Sequence, residues 1–249
     1  MEKKKNAAIL TVVAVATLLV AVIGATFAFF AVQGGTTQTR SITVQTYTSD
    51  STTFNISGDL SIEADQTNFG NGAGSRMAGT MATVAFTPAS RDSQGLCYNL
   101  KLVVSSNTFD YSDNNGSCSN NAYTTKATCR TNGGTWTPTA AELTLNVVKN
   151  GSLTTNGGNV TGIDSTGGTV IYNNLDITRL AAGTYYIPDT LATTIGTTAA
   201  NHTIASSVTT PQTISYAILV TFANLNVNQT DMAGEAFSGS IVLEKCPSA

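Results

Sequence analysis

Short segments in which apolar and polar residues alternate recur along most of the chain after residue 35. This two-residue period is typical of strands with one buried and one exposed face. It predicts about ten strands, at residues 40–48, 53–57, 81–87, 98–105, 142–149, 168–173, 183–188, 202–206, 213–223 and 237–245. Asn- and Gly-rich turns such as NFGNGAG (68–74) and NGGN (156–159) separate them. With almost no helical period, the pattern predicts an all-β fold, a jelly-roll-like antiparallel β-sandwich of two sheets.

The N-terminal residues follow a different pattern. MEKKKN (1–6) contains three lysines, and residues 7–32 contain no charged side chain. A basic start followed by an apolar run is typical of an export signal, and this run is also long enough to span a bilayer as a helix. The pattern therefore predicts a cleaved signal peptide or an N-terminal membrane anchor helix. Both interpretations place the rest of the chain outside the cytoplasm, with the lysines inside.

The small number of charged residues limits the kinds of partner that the chain is expected to bind. Charged residues make up only 11% of it, against about 25% in typical proteins. The chain has 12 Lys+Arg and 15 Asp+Glu; without residues 1–28, which hold three lysines and one glutamate, 9 and 14 remain, a net charge of −5. No basic stripe is present, so no nucleic-acid partner is expected. A surface this low in charge packs readily against copies of itself.

The four cysteines all lie in the part of the chain that the signal would export. An even number outside the cytoplasm favours disulfides, and three pairings are possible. We favour Cys118–Cys129, which closes a short loop, with Cys97–Cys246, which ties an inner strand to the C-terminal region. A zinc site is disfavoured because no CxxC motif occurs and His202 is the single histidine.

One long segment does not fit the strand pattern. Residues 110–139 read DYSDNNGSCSNNAYTTKATCRTNGGTWTPT, with almost no aliphatic residue and the only tryptophan, Trp136. A segment so poor in core-forming residues is predicted to be a surface insertion, stapled by Cys118–Cys129. Such loops carry recognition more often than cores do; the alternative is an insertion without a function of its own.

Oxygen-bearing side chains are crowded at the start of this insertion, at Asp110, Asp113, Asn114 and Asn115. Such a density could hold Ca²⁺. The spacing does not match an EF-hand loop, and ordinary turn chemistry explains the same residues. We therefore predict no cofactor and no metal site.

The sequence lacks the familiar motifs of catalytic sites. It contains no HExxH, no GxSxG and no phosphate-binding loop, and a Ser–His–Asp site would depend on His202 within the strand-like NHTIAS. The residues thus predict a protein that is not an enzyme.

Two stretches resemble a known family. The export segment ends IGATFAFFAV (23–32), similar to the signal-peptide end of the TasA/camelysin family of Gram-positive bacteria, which a SipW-type signal peptidase cuts. The stretch TISYAILVTFANLNVNQTDMAGEAFSGSIVLEKC (213–246) resembles the C-terminal end of camelysin-like surface proteins. The resemblance implies cleavage after Ala28, so that Phe29 begins the mature chain. Camelysins have been described as metalloproteases. Because a single histidine cannot build a standard zinc site, we do not expect protease activity in this chain.

The family also implies a mode of assembly. Its members are secreted jelly-roll proteins, and TasA forms biofilm-matrix fibres in which the freed N-terminal segment completes the sheet of the next subunit. Here residues 29–48 would be the donor strand, with Gly34-Gly35 as a hinge. The apolar side chains for the pockets of the neighbour would be Phe29, Phe30, Val32, Ile42 and Val44. Head-to-tail donation propagates as a filament. The alternative is that residues 40–48 form the first strand of their own domain.

The expected organisation has three parts: residues 1–28 as signal peptide or anchor, 29–48 as N-terminal extension, and 49–249 as β-sandwich with the insertion at 110–139. The expected function is a secreted or cell-surface structural protein, a fibre subunit of the biofilm matrix. Its partners would be copies of itself and other matrix or surface proteins, with membrane contact only through the N-terminal segment. The alternative is a membrane-anchored adhesin or binding module that presents the 110–139 loop with Trp136.

Overall fold

A computed structural model describes residues 48–64 and 75–247 of the chain. Its strands are β1 (Ser51–Ile56), β2 (Leu60–Glu63), β3 (Arg76–Thr87), β4 (Leu96–Asn107), β5 (Ser117–Cys118), β6 (Trp136–Thr137), β7 (Leu143–Lys149), β8 (Ser152–Asn156), β9 (Asn159–Asp164), β10 (Thr169–Asp176), β11 (Gly183–Ile187), β12 (His202–Ile204), β13 (Gln212–Phe222) and β14 (Ala236–Lys245). One α-helix, α1 (Lys126–Thr131), and a 3-10 helix, Thr230–Met232, complete the described elements.

Two antiparallel five-stranded sheets pack together as a β-sandwich. The order in sheet A is β1-β3-β13-β7-β10; the order in sheet B is β11-β4-β14-β2, with β12 paired to the other end of β4. Strands β13 and β3 pair without a break from Gln212↔Phe86 to Phe222↔Arg76. The β-sandwich predicted from the sequence is therefore confirmed.

The core lies between the two sheets and is filled from alternate positions of their strands. Burying one large apolar side chain contributes about 1.5–3 kcal/mol, so this alternation fixes which face of each strand points inward. Members of the core from the four longest strands are Ala82, Val84, Phe86, Tyr98, Leu100, Leu102, Tyr216, Ile218, Val220, Phe222, Phe237 and Ile241.

The strands predicted between residues 53 and 245 all coincide with strands of the structure. The short strands β2, β5, β6, β8 and β9 were not predicted. The strand at 40–48, the cleavage site at Ala28 and Phe29, and the donor residues Phe30, Val32, Ile42 and Val44 lie outside the described residues. Within residues 48–64 and 75–247, no helix is both long and apolar enough to cross a membrane.

The hairpin β8–β9 forms a small third layer on the outer face of sheet A. Leu153 and Val160 come within 3.0 and 3.1 Å of the position that a Cβ would occupy at Gly79 of β3, so the absence of a side chain at Gly79 lets the hairpin pack closely against the sheet. Ala217 and Leu219 of β13 point to the same outer face and are nevertheless buried. The outer face of sheet A is thus partly a second apolar interface rather than a solvated surface.

Two disulfides stabilise the domain. Cys97 at the start of β4 is bonded to Cys246 just after β14, with Cα atoms 5.3 Å apart. Cys118 of β5 is bonded to Cys129 of α1, with Cα atoms 5.6 Å apart. These are the two pairs favoured from the sequence. Disulfides persist in oxidising compartments, which agrees with an extracellular location.

Candidate functional site

The stapled insertion has a small core of its own. Cys118, Cys129 and Trp136 are buried together, with Tyr123 packed against them. The indole Nε1–H of Trp136 donates to the Asn115 carbonyl at 3.2 Å. Only 8% of Trp136 is exposed. The part of the alternative hypothesis in which the loop presents this side chain is therefore wrong, because the tryptophan supplies the apolar surface that the insertion otherwise lacks.

A buried carboxylate joins the insertion to the sandwich. Glu142, just before β7, is fully buried. Its Oε1 accepts from the Ser112 N–H at 2.8 Å and from Asn115 Nδ2 at 3.0 Å, and its Oε2 accepts from Gln229 Nε2. One side chain thus holds the start of the insertion and the loop between β13 and β14. Buried charges require such hydrogen bonds, so we interpret Glu142 as a structural hub.

The oxygen-rich stretch that the sequence offered for Ca²⁺ is occupied by protein contacts. Asp110 forms ion pairs with Arg179 and with Lys126 at 3.4 Å. Asn114 Nδ2 donates to the Asn228 carbonyl at 3.0 Å. Among the described residues, no group of three or more His, Cys, Asp or Glu side chains is close enough together to hold a metal ion.

The ion pairs affect the titration of Asp110. Burial alone would raise the pKa of its carboxyl group. The hydrogen bonds from the Tyr111 backbone N–H and from Arg179, together with the positive charges of Lys126 and Arg179, outweigh burial and lower the pKa. Asp110 is therefore held as an anion that neutralises two cations.

His202 lies in a polar network inside the sandwich. Its Nε2 is 2.8 Å from the Ile187 carbonyl, which can only accept, so the hydrogen is on Nε2. Its Nδ1 is 3.0 Å from the Tyr216 hydroxyl, and that hydroxyl is 2.7 Å from the Tyr98 hydroxyl. Asp189 Oδ1 is 3.2 Å from Nδ1 and 2.6 Å from Lys149 Nζ.

This network stabilises the fold. Burial raises the pKa of Tyr98 to about 12, although its hydrogen bond to Tyr216 opposes the rise. Burial is also the main cause of the raised pKa of Tyr216. Both phenols stay protonated at neutral pH and remain hydrogen-bond donors. The histidine contacts phenols, a carboxylate and a carbonyl, a set that ties β12 to β4 and β13 and supplies no nucleophile.

A pocket lies on the outer face of sheet A, next to the hairpin β8–β9. Its volume is about 310 Å³. The lining residues come from β3, β7, β9, β10 and β13 and from the turn after β9: Met77, Asn146, Val148, Ile163, Ser165, Val170, Tyr172, Asn173, Asn174, Leu219 and Thr221. None of these side chains is charged.

The edges of sheet A differ in character. Edge strand β1 pairs with β3 in unbroken register from Ser51↔Thr87 to Ile56↔Ala82. Edge strand β10 has two register shifts against β7, between Val170 and Tyr172 and between Tyr172 and Leu175. Bulges and charges normally protect edges from added strands. By that criterion β10 is protected, and β1, which reads STTFNI, is not.

Comparisons of the chain with models of protein families, with curated proteins and with solved structures give no significant match. The assignment of function therefore depends on the residues and the geometry alone.

Several residues described above were not singled out from the sequence. Glu142 gave no signal, because a glutamate at a strand start does not reveal which loops will enclose it. Asn173 and Asn174 gave a weak signal, because two consecutive asparagines are unusual in a strand. In the structure they lie in the irregular part of β10.

Proposed function

We propose that the chain is a secreted or cell-surface structural subunit, a jelly-roll protein that assembles head to tail by strand addition, as in a biofilm-matrix fibre. The proposal includes an N-terminal segment released after Ala28 and donated to a neighbour. Support comes from the export signal, the low charge, the two disulfides and the resemblance to the TasA/camelysin family. The observation that carries the proposal is an uncovered part of the core at strand β1.

Ile56 identifies that place. It pairs with Ala82, and paired residues in a sheet point to the same face. Ala82 is fully buried in the core between the sheets, so Ile56 also points to the inner face. Ile56 is nevertheless 41% exposed. Within the described residues, the sandwich leaves an inward-pointing apolar side chain uncovered at its β1 edge.

The neighbouring edge lies on the same side of the sandwich. Strand β2 contacts β3, and β1 contacts β14, so the edges formed by β1 in sheet A and β2 in sheet B face the same direction. We call this pair of edges the β1–β2 seam. An extended segment added along β1 would supply partners for its backbone groups, and its apolar side chains would cover Ile56.

The start of β1 is fixed, which suits a template for pairing. The Asp50 carboxylate accepts from the Ala89 N–H at 2.6 Å and from the Gln94 N–H at 2.8 Å. These contacts hold the residues before β1 against the loop between β3 and β4. A rigid edge loses less conformational entropy when a strand is added to it.

The proposed donor is long enough to reach another molecule. Residues 29–48 comprise about 20 residues and span about 66 Å when extended at ~3.3 Å per residue. A compact domain of about 200 residues is only about 40 Å across. The donor can therefore leave its own domain and pair with the β1–β2 seam of a neighbour.

The test replaces Ile56 by lysine. A charge that points inward at a sheet edge is a natural device against strand addition, so Ile56→Lys is expected to abolish filaments in a sedimentation assay of the secreted protein. The matched control is Leu191→Lys, because Leu191 is also a large exposed apolar residue, 67% exposed, but lies beside β10.

The two variants separate the possible outcomes. Loss of pelletable material in Ile56→Lys with normal assembly of Leu191→Lys supports the seam as the acceptor. Assembly that survives Ile56→Lys but fails in Leu191→Lys would contradict it. Thermal unfolding of both variants checks that each remains folded.

A further inference from the structure

The pocket beside the hairpin β8–β9 has the composition of a site for a neutral ligand rich in hydroxyl groups. Its floor is apolar, formed by Val148, Leu219 and Met77, and Ile163 of the hairpin contributes to its wall. Val170 is also apolar, and the remaining lining residues carry side-chain amides or hydroxyls. This combination of an apolar surface with a few polar groups is typical of small-molecule sites. We propose that the pocket binds one unit of a neutral saccharide.

The absence of charge in the lining determines the class of ligand. An ionised ligand group in a partly buried site without an opposite charge would lose hydration without compensation. A purely apolar ligand would cover the exposed side chains of Asn173 and Asn174 and remove their hydrogen bonds to water. A sugar ring satisfies both requirements, because its C–H face packs against aliphatic side chains and its hydroxyls both donate and accept hydrogen bonds.

The amide groups are already oriented. Asn146 Nδ2 donates to Asn174 Oδ1 at 3.1 Å, and the Asn174 backbone N–H donates to Asn146 Oδ1 at 2.8 Å. An asparagine side chain has two donor hydrogens and two acceptor lone pairs. One hydrogen and one lone pair of Asn146 therefore remain for a ligand. Such preorganisation lowers the entropy lost on binding.

The backbone of β10 departs from regular strand geometry at this place. Asn174 has φ +51°, in the left-handed region that few residues other than glycine and asparagine adopt. The register shifts beside it leave both Asn173 and Asn174 exposed. A regular strand would point one of the two into the core. Bulges that redirect side chains, and strained residues held in place by their neighbours, are concentrated at binding sites.

The size and position of the pocket limit the ligand. Its volume of about 310 Å³ lies at the lower end of the range for small-molecule sites, about 300–1,000 Å³. The site therefore fits a single sugar unit, either free or within a longer polysaccharide. This pocket lies on the outer face of sheet A, and its lining includes no residue of β1 or β2, the strands of the seam. The inference therefore goes beyond the proposed assembly and does not depend on it.

The experiment is a saturation-transfer NMR titration of the full chain with neutral trisaccharides of glucose, galactose and N-acetylglucosamine, and with a uronic acid trisaccharide as the charged comparison. This method observes the ligand, so an assembled protein does not prevent it. At least one neutral trisaccharide is expected to bind, with the strongest transfer to its ring C–H protons, and the uronic acid trisaccharide is expected to bind at least tenfold more weakly.

Two variants locate the binding. Asn174→Gly keeps a residue that adopts positive φ and removes the amide; Asn146→Ala removes its partner. Each is expected to weaken binding about tenfold, the loss that follows from one or two neutral hydrogen bonds. The matched control is Asn226→Gly, because Asn226 also has positive φ, +57°, and is not among the residues that line the pocket.

The outcomes decide the proposal. Binding that is weakened in Asn174→Gly and Asn146→Ala but retained in Asn226→Gly supports the site. Binding that is equal in all variants would place the ligand elsewhere and overturn it. No transfer to any neutral trisaccharide at millimolar concentration, or preference for the uronic acid trisaccharide, would also overturn it.

Discussion

Replacing Glu142 by alanine is expected to destabilise the protein strongly. The side chain is fully buried and accepts hydrogen bonds from Ser112, Asn115 and Gln229. Glu142→Ala removes the acceptor of one N–H hydrogen from each of these three buried groups, while Asn115 Nδ2 and Gln229 Nε2 keep their bonds to the Ala140 and Ala223 carbonyls. A buried donor that loses its partner costs about 1–3 kcal/mol, so three cost about 3–9 kcal/mol before relaxation. Water that enters the vacated space offsets part of this loss, and we expect about 3–5 kcal/mol.

The variant Glu142→Gln separates hydrogen bonding from packing. Its amide keeps one acceptor oxygen, but its NH₂ group faces a donor. Gln229 cannot simply turn over, because its Oε1 accepts from the Leu225 N–H at 2.9 Å and its Nε2 also donates to the Ala223 carbonyl at 3.0 Å. We therefore expect an intermediate loss, about 1–3 kcal/mol. The control is Glu63→Ala, an exposed position where the change should be within about 0.5 kcal/mol.

Urea denaturation measures these free energies of unfolding. The single tryptophan, Trp136, reports on the insertion by fluorescence, while far-UV circular dichroism reports on the sheets. Because Glu142 joins the two parts, both signals should shift to lower urea in Glu142→Ala. A loss below about 1 kcal/mol, no greater than ordinary surface changes, would refute the view that this carboxylate is a structural hub.

Three further predictions concern covalent and titrating groups. Removing the Cys97–Cys246 bond, which spans 149 residues, should lower the free energy of unfolding by about 5 kcal/mol, and removing Cys118–Cys129, which spans 11, by about 3 kcal/mol. Urea denaturation of the two double-serine variants measures both losses. A larger loss for the short Cys118–Cys129 loop would contradict the chain-entropy explanation. The folded-state pKa of Asp110 is lowered, so the stability that its carboxylate contributes is present above the unfolded pKa and is lost as the pH falls through the folded pKa. The difference in unfolding free energy between wild type and Asp110→Asn should therefore become smaller in acid. A difference that does not change with pH would contradict this. The pKa of Tyr98 is raised to about 12, so stability should fall as the pH rises from about 10 towards 12, less steeply in Tyr98→Phe.

The long strands could be predicted from the sequence because their alternation is set by burial against the opposite sheet. In β3, for example, Ala82, Val84 and Phe86 are buried, while Thr83 and Ala85 between them are only partly buried. The hairpin β8–β9 could not be predicted in the same way. Its turn NGGN was recognised, but the flanking SLTT and VTGID are mostly polar, since only one side of the hairpin contacts the sheet.

The insertion shows a different limit of sequence reasoning. Its lack of aliphatic residues correctly indicated that it is not a layer of the sandwich. The alternative hypothesis of a loop that presents Trp136 did not foresee that a disulfide and an indole together form a core without any aliphatic residue. Likewise, a register shift between β7 and β10 places Asn146 next to Asn174. Such a shift could not be predicted, because the alternation of apolar and polar residues does not show how two strands are aligned.

The proposed function requires that the chain is exported and assembles through strand addition. Electron microscopy of the secreted protein, purified at high concentration and shown to begin at Phe29, tests it most directly. We predict filaments with a regular subunit repeat. Separate particles of the size of one domain, at the same concentration and with both disulfides intact, would contradict it.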